Sequence, residues 1–173
     1  MTPAPTPGNE SERLRALHAL LVLDTPPDEK FDRVVRFAAE QMDVPIALVS
    51  LIDEHRQWFK ARVGLDAPET SRDVSFCGHA IMEPAIFVVE DASKDVRFAD
   101  NPLVTAGPQI RFYAGAPISA PGGERIGTLC VIDDKPRRLG VVEIAVLEAL
   151  RDLVNDTLAG KADEDDDTTK DAA

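Results

Sequence analysis

Apolar positions fall at helical spacing over residues 14–42, at strand spacing through much of 46–132, and at helical spacing again over 144–158. Leu14, Leu17, Leu20 and Leu21 share one side of a first helix, with Asn9 or Ser11 available to cap it. The run Leu23-Asp24-Thr25-Pro26-Pro27 ends that helix and opens a second. There Thr25 is placed to cap, Pro26 to take the first helical position, and Asp28 to put negative charge in the first turn. Phe31, Val34, Val35, Ala38, Ala39 and Met42 then form one apolar stripe along about four turns.

Ile46–Ile52 is apolar on both faces. After the polar turn Asp53-Glu54-His55-Arg56 the chain returns over 57–63 as a hairpin partner. Further strands are expected at 86–89, 110–118 and 125–132, the last two joined by the turn Ala120-Pro121-Gly122-Gly123-Glu124. A final helix starts near Gly140, with Glu143 three residues on as a capping partner. It carries Ile144, Leu147, Leu150, Val154 and Leu158, with Val146 and Leu153 flanking. Two hairpins between terminal helices specify the α+β class with an antiparallel sheet. Strands 46–52 and 126–132 lack polar alternation, so both sheet faces must be covered: helices on one, the irregular stretches 64–84 and 91–109 on the other. Long segments of that kind are where binding sites tend to be built.

Composition narrows the class. The 173 residues divide into a flexible leader (1–9), one folded body (10–158) and an acidic tail (159–173) read as disordered. The formal net charge is −12, of which the tail supplies four charges (two lysines against six acids). Such a surface repels phosphate backbones and anionic lipid, so neither nucleic acid nor a membrane is expected as partner. No apolar run reaches the roughly 20 residues of a membrane helix. Residues 1–7 do not resemble a signal peptide, which leaves a cytoplasmic location. The two cysteines, Cys77 and Cys130, read as reduced thiols rather than a disulfide framework. No phosphate loop, nucleophile elbow or zinc-protease motif occurs.

Eight blocks then stand in register with a known family. They are Leu23-Asp24-Thr25-Pro26-Pro27; Val44-Pro45 with Ile46–Ile52 and Asp53; Arg56-Gln57-Trp58-Phe59-Lys60; Glu69-Thr70-Ser71-Arg72; Ser75-Phe76-Cys77-Gly78-His79-Ala80-Ile81; Asp100-Asn101-Pro102-Leu103-Val104; Ile110-Arg111-Phe112-Tyr113-Ala114-Gly115-Ala116-Pro117; and Gly127-Thr128-Leu129-Cys130-Val131-Ile132-Asp133. With these the chain resembles a GAF domain of a bacterial, stand-alone, sensor type. The resemblance implies a GAF (PAS-like) fold, with terminal helices on one sheet face and a ligand pocket under irregular segments on the other. It also implies a regulatory role beside diguanylate cyclase or histidine kinase modules. The Asn-Lys…Phe…Asp-Glu set of cyclic-nucleotide-binding relatives is not recognisable in this chain.

The candidate ligand-binding residues are Phe76, Cys77, His79, Asp100, Asn101, Arg111 and Tyr113. The Cys77-x-His79 spacing brings a thiol and an imidazole near one cavity, and an imidazolium lowers a thiol pKa. Zinc would need Cys77, His79 and Cys130 to converge. Packing is the competing reading for both thiols, since cysteine is among the most buried residue types. Arg111 and Tyr113 alternate along one strand, where a guanidinium and a phenol could hold an anionic or aromatic ligand. Alternatively Arg111 pairs with Asp91, Asp95 or Asp100, and Trp58 is either a lid or a core anchor. Asp91, Asp95, Asp100 and Asn101 match no Ca²⁺ loop.

The expected function is a cytosolic small-molecule sensor, not an enzyme, acting on a separate kinase or cyclase output protein. No cofactor, metal or particular ligand is specified. One alternative is a thiol enzyme using Cys77, similar to free methionine-(R)-sulfoxide reductase, whose close cysteine pair this chain lacks. The other is a dimerisation module with a vestigial pocket. Leucines left over on the terminal helices predict a homodimer.

Overall fold

The computed structural model describes the backbone of residues 1–170 and the side chains of residues 1–160. Its elements are α1 (Glu10–Ala19), α2 (Glu29–Met42), β1 (Ile46–Ile52), β2 (Arg56–Val63), β3 (Glu69–Ser71), α3 (Phe76–Ala80), β4 (Phe87–Val89), α4 (Pro102–Thr105), β5 (Phe112–Ser119), β6 (Arg125–Asp133) and α5 (Val141–Lys170). The predicted stripe of α2 is buried at all six positions. Its cap is Asp28, whose carboxylate accepts from Lys30 N–H, and not Thr25. The reason is that Pro26 and Pro27 remain outside the helix, and Thr25 instead donates its hydroxyl to the Val22 carbonyl. At α5, Glu143 accepts the Gly140 N–H at 2.7 Å, the reciprocal half of a capping box. This helix passes residue 158, where the sequence suggested its end; the side chains of the expected acidic tail beyond 160 lie outside the described residues.

The six strands form one antiparallel sheet in the order β3-β2-β1-β6-β5-β4. The period-2 rule divides β1 cleanly. Ala47, Val49 and Leu51 join the core beneath α1, α2 and α5, while Ile46, Leu48 and Ile52 join a second core beneath α3 and the 92–110 segment. Both faces are therefore covered, as the absence of polar alternation required. The short β3, α3 and α4 lie within stretches that show no periodicity in sequence, because three to five residues are too few to register one. Trp58 is a core residue of the helix-covered face, not a lid.

Candidate functional site

Strand register builds the second face. Leu48 is opposite Cys130, Cys130 opposite Gly115, and Ser50 opposite Thr128. Side chains of Ser50, Thr128 and Cys130 thus share one patch, with Tyr113 two residues before Gly115 on the same face. A Cβ at Gly115 would lie 2.2 Å from the Tyr113 hydroxyl. The glycine lets the phenol fold across its own strand and donate to Cys77 Sγ at 3.2 Å. Cys77 comes from α3, whose cap is Ser75: its Oγ accepts the Gly78 N–H and donates to the Arg72 carbonyl. Phe76 stacks on Phe98 and tilts against Tyr113, fixing the ring that carries the hydroxyl.

Beside this patch lies a cavity of about 400 Å³ between the sheet and the segments at 64–67 and 103–110. Ile46, Leu48, Phe59, Ile110 and Ile132 make its walls, and Gln57, Thr70, Cys77 and Tyr113 supply polar atoms. Gln57 accepts the buried Ser50 hydroxyl and donates to Thr70, so its amide is held in place. Gly64, at φ +77°, turns the chain over Pro45 to form the rim. Among the described residues, the only charged one in the lining is the exposed Asp66.

The sequence-predicted residues separate into two groups. Phe76, Cys77 and Tyr113 line the cavity. His79 does not: its ring packs edge-on to Phe98 and its Nε2 meets the Thr2 carbonyl, and burial holds the imidazole below its ordinary pKa. Arg111 precedes β5 and bonds the Val104 and Ile110 carbonyls, so it neither shares a strand with Tyr113 nor faces the cavity. Asn101 caps α4 and donates to the Val74 carbonyl. Asp100 is exposed and pairs with the terminal ammonium.

Cys77 and Cys130 converge to 3.8 Å, and His79 is not with them. Among the described residues no group of three or more metal-ligating side chains occurs. Burial pushes the Cys77 thiol up, but the polar side chains of Cys130, Thr128, Tyr113 and Ser50 around it outweigh this and hold the thiol below its usual pKa. Burial and the neighbouring thiol push Cys130 well up. Sequence reasoning missed Ser50, Gln57, Thr70 and Thr128. The alternation Thr128-x-Cys130-x-Ile132 could have placed two of the patch residues on one face.

No helix among the described residues is long and apolar enough to cross a membrane. The chain is 43% identical over 155 residues to a cyclic di-GMP phosphodiesterase of Pseudomonas aeruginosa, which covers 89% of this chain and 26% of that protein. The chain thus spans about a quarter of that relative's length. Solved structures share the fold at low identity. The blue-light-absorbing PixJ GAF domain of Thermosynechococcus elongatus matches with TM-score 0.66 at 15% identity, covering 91% of this chain and 95% of that one. Free methionine-R-sulfoxide reductase of Neisseria meningitidis matches with TM-score 0.61 at 14% identity, covering 95% and 99%. The GAF domain model itself matches residues 26–158, and the chain belongs to the GAF domain family.

Proposed function

We propose that this GAF domain is a signalling module that binds a small molecule reversibly in the cavity and passes its state to an output protein. The observation that carries the reading is the cavity's size and lining: about 400 Å³, apolar walls, and a few side-chain polar groups already held in place. Among the described residues no lysine or arginine lines it, so an anionic ligand would meet no countercharge there. A neutral, largely apolar ligand with one or two hydrogen-bonding groups fits best. Binding would favour one arrangement of the 64–70 and 103–110 segments over others, which is the population shift a sensor needs.

Native mass spectrometry of the freshly purified full chain tests this. A bound small molecule is expected, and Ala67→Trp, which plugs the exposed rim without touching the core, should abolish it. A bare chain mass that persists after incubation with a metabolite extract would count against the reading.

Self-association belongs to the same proposal, with its place revised. Leu17 and Leu20 are buried in the chain's own core, so α1 offers less free apolar surface than its leucines suggested. Apolar surface is also left over on α2 and α5, where Phe37 and Leu153 are 46% and 50% exposed beside Leu150.

A further inference from the structure

Two thiols 53 positions apart in the chain lie side by side, one of them in the wall of the cavity. The sulfurs are 3.8 Å apart, and Cys77 also receives the Tyr113 hydroxyl at 3.2 Å. Cys77 lines the cavity; Cys130 lies behind it, fully buried in the central strand β6. We infer that Cys77 and Cys130 form a reversible dithiol–disulfide site, in which Cys77 is oxidised by a small hydroperoxide entering the cavity and Cys130 resolves the product. This goes beyond reversible ligand binding and stands without it.

The chemistry balances in two steps. The Cys77 sulfur attacks the terminal oxygen of ROOH, the O–O bond breaks, and the thiol proton leaves with the departing oxygen, giving Cys77–SOH and ROH. The Cys130 sulfur then attacks the sulfenic sulfur, an S–S bond forms, and the hydroxyl leaves as water with the Cys130 proton. Two thiols are oxidised and one peroxide is reduced. The groups around the pair suit these roles. A hydrogen bond from Tyr113 favours the thiolate that attacks. Phe76 and Phe87 hold the Tyr113 ring at centroid distances of 5.3 and 6.0 Å, so the donor is preorganised. Thr128 Oγ1 is buried beside the thiols, a polar group placed to accept or donate as the proton moves.

Closing the bond to about 2.05 Å needs the sulfurs to approach by less than 2 Å. β6 is paired on both sides and cannot supply that movement. α3 is a single turn between irregular segments and can. Oxidation would therefore draw Phe76–Ala80 toward the sheet and take Cys77 from Tyr113, remodelling one wall of the cavity. The lining also selects the oxidant. A neutral peroxide enters without losing a countercharge, whereas a carboxylate-bearing sulfoxide would find no cation there.

The test uses the full chain, reduced, desalted under anaerobic conditions and treated with hydrogen peroxide. The expected result is a monomer lighter by two hydrogens, with two thiols lost per peroxide, a Cys77–Cys130 linked peptide, and recovery with dithiothreitol. Cys130→Ser should stop one step earlier and give a dimedone adduct at Cys77, while Cys77→Ser should give none at Cys130. Tyr113→Phe should slow thiol loss by up to about tenfold and move the rate's pH midpoint upward, which a merely structural tyrosine would not do. Oxidation no faster than that of free cysteine at the same pH, or disulfides only between chains, would overturn the inference. Both readings come from the unsubstituted chain, so a variant that fails to fold does not decide the matter.

Discussion

At the scale of single residues, Gly115 and Tyr113 are one decision. The hydroxyl occupies the space that a side chain at 115 would take, and it reaches Cys77 only because that space is empty. Gly115→Ala is expected to cost about 1–3 kcal/mol in urea unfolding, the range for overpacking a filled core. The cost should shrink when Gly115→Ala is combined with Tyr113→Phe, since removing the oxygen relieves the nearest clash; equal costs in both backgrounds would show the clash lies elsewhere. Sequence reasoning reached Phe76, Cys77 and Tyr113 because the family blocks contain them. It misplaced Arg111 because the strand begins at Phe112, two residues later than the expected 110, so the alternation invoked for the pair does not hold. His79 and Asn101 are polar residues whose partners come from residues 2 and 74, contacts that no local pattern reveals.

Among the elements, α1 shows what periodicity leaves out. The helix has no side-chain cap at Asn9, and its charged residues hold it instead. Arg13, 1% exposed, donates to the Ile52 carbonyl and to Glu10, and Glu10 also accepts from Arg72 of the sheet-covering segment. Burial alone would raise the Glu10 carboxyl, but hydrogen bonds from Arg13 and Arg72 outweigh it and hold the pKa at about 2. Because the folded pKa is lowered, this contribution is complete above the unfolded value and is lost as pH falls from about 4.5 toward about 2. Glu10→Gln should therefore lower stability by about 1–2 kcal/mol at pH 7, discounting for solvent at a carboxylate 19% exposed. The difference between mutant and parent unfolding free energies should shrink as pH falls and vanish only below about pH 2; a gap that stays constant with pH would mean the triad is not its source.

For the whole molecule, the exposed residues of α2 and α5 predict how copies meet. Burying Phe37 and Leu153 in both copies contributes roughly 3–6 kcal/mol before association costs. The negative charge of the body opposes this, but screening confines that repulsion to about 8–10 Å at physiological salt. Light scattering should return a dimer mass at micromolar protein, and Phe37→Glu with Leu153→Glu should return a monomer that still melts cooperatively. A wild-type monomer would remove the dimer. Leu17→Glu is no test of an interface, because Leu17 is fully buried within one chain.

The sequence by itself determined the antiparallel sheet, the terminal helices and the covering of both faces. Those follow from the spacing of apolar residues, which is local and repeats often enough to read: six of six stripe positions in α2 are buried, and β1 occupies the predicted residues. Only the tertiary structure decided which polar groups meet. Cys77 and Cys130 approach within 3.8 Å because β6 is central and α3 lies on its face. Tyr113 joins them because the residue two places along its own strand, on the same face, is a glycine. Arg13, Glu10 and Arg72 form a triad because α1 docks where the 71–75 segment crosses. Such meetings depend on strand order and register over separations of tens of residues, and short-range periodicity carries no record of either.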